Sequence, residues 1–388
     1  MRTSEFAFPT IETIDDVLPS IEGRPEFSVV KKDGYIAVNY HVISNDTFPD
    51  LDGSDDPAIR RECRGLLFYE DGTLAARRFH KFFNVNERLE TLASSIPFDD
   101  CEILEKLDGS MVSPIRLGCG LRWATKAGIT NVSMQAEVFV AQNPGIAMMS
   151  ERLIDHGWTP VFEWCSRQCR IVVDYPRDRM VLTAIRHNKT GVYADQDYMK
   201  AICDRFKVEC VRSWSVMGTM EGFLKYVRNL DDLEGFVLRA PSGHMFKIKG
   251  DWYIGLHKSK EMINRERHIA KIVLEDNLDD LVPILSDEDK VRVFEYAHAL
   301  RGAIQNSAIR VSALAQIFIN GADGDRKKLA QAVKGHPLSS YFFKIADGRT
   351  PEDVISDDIK KSFDSNKMFD KVKARLFPDL SWEGAWGV

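Results

Sequence analysis

The chain has 388 residues, 44% of them hydrophobic and 28% charged, with a formal net charge of −6. That length and apolar content suit two or three domains with a substantial core, and the acidic balance excludes a protein that coats nucleic acid through overall charge, while leaving room for a local basic channel. Apolar runs such as Val311 to Ile319 are interrupted and fall far short of the roughly 18 residues of a membrane helix, and the start Met1-Arg2-Thr3-Ser4-Glu5 lacks the features of a secretory signal.

In chain order, the first hundred residues read as β hairpins. Phe27 to Tyr40 brackets Asp33-Gly34, and Gly65 to Ala76 brackets Asp71-Gly72, each an Asp-Gly turn between β-prone runs. The flanking residues do not match, so this is no internal repeat. Asn45 to Asp56, rich in Asp, Pro and Gly, reads as a loop between them. From Cys101 to Lys249, strands are expected at 102–106, 111–117, 121–126, 160–164, 170–173, 180–186, 235–239 and 244–249, with helices at 133–155, 196–206 and 219–228. The pattern is α+β, with antiparallel sheets and inserted helices.

After Ile254 the strand signals stop. Ser286 with Asp289 reads as a helix cap, and Val291, Phe294, Ala297 and Leu300 recur at helical spacing towards Ile319. Thr350-Pro351 starts a second helix, and Lys367 to Phe377 is a third amphipathic segment. The expected organisation is therefore an α+β domain over 1–254, with a hairpin region at 1–100 and a core at 101–254, followed by an all-helical domain over 255–388. Seven scattered cysteines without a CxxC pair read as reduced thiols of an intracellular protein.

Five segments carry the chemistry together: Lys106-Leu-Asp108-Gly109-Ser110, Phe162-Glu163-Trp164, Glu234-Gly235-Phe236, Phe246-Lys247-Ile248-Lys249, and Arg64-Gly65 with Lys81-Phe82-Phe83-Asn84. On a strand, Lys247 and Lys249 share one face while Phe246 and Ile248 pack behind. Two like charges on one sheet face repel unless something anionic lies over them; alone they would read as solvated lysines. Glu234 opens the preceding strand beside a glycine that permits close approach, so a hairpin from Glu234 to Lys249 sets one acid and two bases around a common site. Glu163 alternates with buried aromatics and, with Glu234, offers two carboxylates suited to a divalent cation that also takes phosphate oxygens. Lys106, a poor nucleophile at its usual pKa of about 10.4, is expected beside these cations to fall by about 2 to 3 pH units and to attack an α-phosphate as the free amine.

The ordered series KxDGS, FEW, EGF and FKIK resembles that of the covalent nucleotidyltransferases, which include ATP-dependent DNA ligases, RNA ligases and mRNA capping guanylyltransferases. Arg64-Gly65, Phe79 to Glu87, Arg170 to Tyr175 and Phe246 to Tyr253 narrow the resemblance to the tRNA-repair RNA ligases of T-even phages. This resemblance implies an ATP-grasp-like adenylyltransferase domain followed by an all-α domain, and ligation of RNA 5′-phosphate and 3′-hydroxyl ends through a lysyl-AMP. It implies Lys106 as nucleophile, Lys247 and Lys249 as catalytic phosphate-binding lysines, and Glu163 and Glu234 as ribose- or metal-supporting acids. By the same resemblance Arg64 and Lys81 engage ATP phosphates, Phe83 lies near the nucleotide, Lys126 sits on the strand after the nucleophile, and Tyr253 stands just beyond the last motif. The implied cofactors are ATP and Mg²⁺, with Mn²⁺ able to serve, and the partner is single-stranded RNA or broken tRNA. No membrane and no obligate protein partner are expected, and the compartment is cytoplasmic, that of the host cell if the chain is phage-encoded.

Two observations separate this reading from DNA ligases and capping enzymes: Ser110-Met111 follows the glycine where those families commonly place arginine, and helix rather than an OB-fold follows Lys249. A non-catalytic RNA-binding relative is the alternative of a different class, and the intact Lys106, Glu163, Glu234, Lys247 and Lys249 weigh against it. His80 reads as a packed strand residue, His257 and His268 as weaker RNA-binding candidates, and Trp382 and Trp386 as residues that dock the tail.

Overall fold

The computed structural model of the protein describes residues 7–41, 46–51, 53–216, 218–275, 277–285 and 287–382. Its contacts divide the chain into two compact units, Met1–Ile254 and Gly255–Val388.

Fourteen strands occur among the described residues of the first unit. They are β1 (Phe27–Lys32), β2 (Tyr35–Tyr40), β3 (Leu66–Tyr69), β4 (Leu74–Ala76), β5 (Phe83–Asn84), β6 (Glu102–Lys106) and β7 (Ser110–Leu117). There follow β8 (Gly120–Ala124), β9 (Trp158–Cys165), β10 (Arg179–His187), β11 (Glu209–Cys210), β12 (Ser213–Ser215), β13 (Gly235–Arg239) and β14 (Met245–Lys249). They form three sheets, in the orders β1-β2-β3-β4, β11-β10-β9-β7-β8 and β12-β6-β13-β14-β5. Pairing is antiparallel except between β10 and β11 and between β14 and β5. Both Asp-Gly hairpins form as the sequence leads one to expect.

Alternation fixes what each sheet shows to its core. On β14, Phe246 and Ile248 are buried with Phe236 and Leu238 against the helix Met220–Arg228, which leaves Lys247 and Lys249 on the opposite face. On β9, Phe162 and Trp164 join the core that packs under the helices Asn131–Gln142, Pro144–Asp155 and Gln196–Phe206, and Glu163 points the other way.

Several expectations need correction. The single helix at 133–155 is two, because Pro144 has no amide hydrogen to continue the first and disfavours helical geometry at Asn143. Residues 170–173 form no strand, since the amides of Val172 and Val173 donate to a side chain instead of a sheet ladder. Strand β8 stops at Ala124, and Lys126 lies in a tight turn closed by the Thr125–Gly128 bridge. The segment 45–56 is not all loop, because Asp55–Glu62 is helical behind Ser54; Asn45 itself lies outside the described residues.

Every regular element among the described residues of the second unit is a helix. Its centre is the 36-residue helix Asp287–Ala322, and the shared core includes residues of Glu266–Leu274, Ser339–Ala346, Pro351–Ser362 and Asn366–Leu376. The buried stripe runs Val293, Ala297, Leu300, Ile304, Ala308, Val311 and Ala315. Val291 and Phe294, counted among the periodic residues, lie off that stripe and are exposed. Thr350 caps its helix by accepting from the Asp353 amide, whereas Ser286 lies outside the described residues. Trp382 donates from Nε1 to the Ile263 carbonyl at 2.6 Å and packs edge-on against Tyr296, so it does dock the tail; Trp386 lies outside the described residues. His268 Nε2 lies 3.1 Å from the Arg267 guanidinium, and His257 Nδ1 lies 3.8 Å from Glu261.

Candidate active site

The site grows from one row across three strands. In the antiparallel register Lys106 on β6 faces Gly235 on β13, and Gly235 faces Lys249 on β14. Gly235 has φ +142°, and a Cβ there would lie 2.0 Å from the Ile248 carbonyl oxygen, so only glycine lets the hairpin close at this point. Its neighbour Glu234 is buried and bridges the two lysines. Lys106 Nζ lies 2.7 Å from Oε2 and Lys249 Nζ lies 2.9 Å from Oε1. Burial alone would raise the Glu234 pKa, but the two ammonium groups outweigh it and hold the carboxyl below its ordinary value.

The same pair corrects the expectation for Lys106. Burial pulls its pKa down, yet the attraction of Glu234 and Glu163, the bond to Glu234 and the nearby Asp108 more than offset burial, and the net displacement is upward. Acids, not cations, dominate the surroundings of the resting amine. Glu163 goes the other way: burial and the proximity of Glu234 push its carboxyl up to about 8, against the pull of Lys106 and Arg64. Its cross-strand partners are Met111 on β7 and Val181 on β10.

Asp108 clamps the loop behind the nucleophile. Its Oδ2 accepts from the amides of Val172 (2.6 Å) and Val173 (2.7 Å), and its Oδ1 accepts from the Tyr253 hydroxyl at 2.7 Å. Its own amide donates to the Tyr175 hydroxyl at 2.9 Å. Gly109 then passes so close to β9 that a Cβ would meet the Trp164 carbonyl oxygen at 2.5 Å. Four charge-assisted or neutral bonds and one glycine thus fix where the strand ends and where Lys106 emerges. Tyr253 also lies under the Lys249 ammonium, 4.9 Å from its ring centroid.

A second group of cations gathers around aromatic rings. Lys81 lies 5.0 Å from the Phe83 centroid and 5.7 Å from that of Tyr40, and Lys126 lies 5.2 Å from Tyr40. Burial, helped by repulsion from Arg64, Arg88 and Lys126 and opposed by Glu87, lowers the Lys81 pKa to about 8. Lys247, opposite Val237 and beside Asn84, falls to about 7 through burial and then through repulsion by Lys81, Lys106 and Lys249. Arg64 donates to the Met111 sulfur at 3.6 Å and stands over Phe82. Phe83 is fully buried, with Arg88 3.9 Å from its centroid, and its ring seats cations.

Sequence reasoning missed several supporting groups. Tyr40 serves two lysines, and Tyr175 orients Asp108. Glu62 lies fully buried between Arg77 and Arg186, accepting at 3.0 Å from Arg77 and at 2.7 Å from Arg186. The signal for that network was the charged pair Arg77-Arg78 in an otherwise apolar hairpin exit. His80 packs as expected, buried with Nδ1 2.9 Å from the Tyr193 hydroxyl.

Residues 62–253, which hold every site residue named above except Tyr40, match the model of a family described as RNA ligase. Over those residues, about half of its length, the chain is similar to the RNA ligase family. The chain is 27% identical over 316 residues to a Thermovibrio ammonificans protein named "Putative RNA ligase", covering 78% of this chain and 80% of the relative. It is 26% identical over 261 residues to RNA ligase 1 of bacteriophage TS2126, covering 64% of this chain and 65% of the relative, just under two thirds of that protein's length. Solved structures similar to it include an archaeal ATP-dependent RNA ligase, at TM-score 0.42 and 16% identity over 75% of this chain and 78% of the other. A Naegleria gruberi RNA ligase mutant with ATP and Mn is similar at TM-score 0.36 and 14% identity, over 66% of this chain and 96% of the other. The α+β class holds, and no helix among the described residues is long and apolar enough to cross a membrane.

Proposed function

We propose that this protein joins an RNA 5′-phosphate to a 3′-hydroxyl at the expense of ATP, with Lys106 carrying AMP between the two. The observation that carries the reading is the Lys106–Gly235–Lys249 row with Glu234 bridging both amines. The residues fit a nucleoside triphosphate. Arg64, Lys81, Lys126, Lys247 and Lys249 come from separate segments, and the repulsion that adds to burial in lowering Lys81 and Lys247 is relieved when a polyanion lies among them. They also fit a divalent cation, because Glu163, pushed up by burial and by Glu234, gains by facing positive charge. Held by Glu163 and Glu234, Mg²⁺ or Mn²⁺ would supply positive charge against the negative charge that develops on the phosphoryl group and would weaken the hold of these acids on Lys106.

In the first step the Lys106 ammonium loses a proton, and its Nζ lone pair attacks the α-phosphorus. An N–P bond forms while the bond from that phosphorus to the bridging oxygen breaks, and pyrophosphate leaves among the cations. The AMP then passes to an RNA 5′-phosphate, freeing Lys106, and the 3′-hydroxyl attacks that phosphate and expels AMP. Glu234 keeps the two amines in register, and the Asp108 clamp holds the nucleophile loop against β9. The substrate is single-stranded RNA or a broken tRNA, the helical unit supplies the choice between them, and the protein works in the cytoplasm. Incubation with α-labelled ATP and Mg²⁺ tests the reading: a covalent label that Lys106→Ala abolishes supports it. Preferential labelling by GTP, or sealing of nicked duplex DNA in preference to RNA, would overturn it in favour of another nucleotidyltransferase.

A further inference from the structure

Arg78 is the one buried arginine around the site whose bonds all go to uncharged oxygens among the described residues. It is 1% exposed. Its Nη1 donates to the Gly65 carbonyl at 2.5 Å, its Nη2 to the Ala124 carbonyl at 3.0 Å, and its Nε to the Ser113 hydroxyl. Arg77 and Arg186, by contrast, share the Glu62 carboxylate. Burial accordingly lowers the Arg78 pKa to about 9, with Arg64 adding repulsion and Tyr35 opposing it. A buried cation without a carboxylate is expensive, and packing alone would be served by an apolar side chain.

The three acceptors explain what the guanidinium does. Gly65 directly follows Arg64. Ala124 ends β8, two residues before Lys126. Ser113 lies on β7, the strand that leaves the nucleophile loop. The first two backbones touch at this point: at Gly65, with φ +82°, a Cβ would lie 2.7 Å from the Lys126 Cα and 2.9 Å from Arg78 Nη1. Arg64 and Lys126, far apart in sequence, are thus fastened through one planar fork, whose geometry a lysine cannot reproduce.

We propose that Arg78 is a positioning residue for the triphosphate tail, setting the spacing of Arg64 and Lys126 so that both meet the departing pyrophosphate. The proposal rests on the ligase reading above. It separates the steps: self-labelling from ATP needs the tail, whereas sealing of pre-adenylylated RNA does not.

The test is Arg78→Lys in the full-length protein, compared with wild type in both reactions and in thermal unfolding. The expected result is that the ATP concentration for half-maximal self-labelling rises about 10- to 100-fold, the scale of a misplacement of about 1 Å, while sealing of pre-adenylylated RNA stays within about twofold. An equal loss in both reactions, or no loss in either, overturns the proposal, since a structural role alone does not distinguish the substrates. Should Arg78→Lys fail to fold, Ser113→Ala keeps the charge and removes one acceptor. Selective loss of ATP-dependent labelling in that variant supports the proposal, and equal or absent loss overturns it. Failure of the wild type to label at all would instead sink the ligase reading, and so is distinguishable from failure of the proposal.

Discussion

Gly235→Ala is the sharpest probe of the three-strand row. The added methyl would stand 2.0 Å from the Ile248 carbonyl oxygen and 2.9 Å from the Lys249 Cα. A carbon approaches a carbonyl oxygen no closer than about 3.3 Å without strain, so β14 must retreat from β13 by more than about 1 Å. The φ of +142° adds a backbone cost of about 1–3 kcal/mol for any non-glycine residue. The retreat moves Lys249 away from Lys106 and pulls on the Glu234 bridge between them. A displacement of this size costs about 100-fold in rate when it separates reacting groups. Single-turnover formation of the covalent adenylate, measured beside guanidinium unfolding, should show both losses in the same variant. A Gly235→Ala protein that unfolds at the wild-type midpoint and labels at the wild-type rate would mean that the hairpin does not close where the register places it.

Three further outcomes follow from the charges. Glu234 raises the Lys106 pKa, so Glu234→Gln should move the midpoint of Lys106 modification by a lysine-directed electrophile, mapped by peptide mass spectrometry, to lower pH; an unmoved or raised midpoint would contradict the pairing. Removing Glu62 leaves Arg77 and Arg186 buried without their acid, and Glu62→Gln should cost about 3–5 kcal/mol in chemical denaturation. The arginines hold Glu62 below the ordinary carboxyl value against burial, so its contribution is fully present above about pH 4.5 and is lost as pH falls through the lower folded value; a wild type whose stability showed no acid-side loss attributable to Glu62 would count against the network. Asp108→Ala should release the amides of Val172 and Val173, seen as faster hydrogen exchange confined to that loop, whereas unchanged protection would mean that the clamp does not hold them.

Much of this site is legible in sequence because period-two alternation assigns faces without any tertiary knowledge. Lys247 and Lys249 part from Phe246 and Ile248, and Glu163 from Phe162 and Trp164, by pleat alone. What alternation cannot supply is the balance of charges once strands meet. The expected fall in the Lys106 pKa counted Lys247, Lys249 and a bound metal as its neighbours, but the register puts Glu234 between the amines, and Lys247 itself drops to about 7. The segment 170–173 was β-prone by composition, yet Asp108 claims its amides, a preference visible only when residues distant in sequence come together. The cations gathered on Phe83 likewise come from Arg61, Lys81 and Arg88, and only the folded chain shows that they cover its ring. In the helical unit the start near 350 followed from Thr350-Pro351 and the segment from Lys367 from its amphipathic spacing, whereas the buried stripe of Asp287–Ala322 required knowing which neighbours pack on it.

The central claim is that Lys106 carries AMP. Reacting the protein with α-labelled ATP and Mg²⁺, digesting it and locating the label is the most direct measurement. The expected result is one labelled peptide containing Lys106, an acid-labile and base-stable phosphoramidate, discharge of the AMP upon addition of 5′-phosphorylated RNA, and no label in Lys106→Ala. A label that persists in Lys106→Ala, or that maps to another lysine such as Lys247 or Lys249, would contradict it.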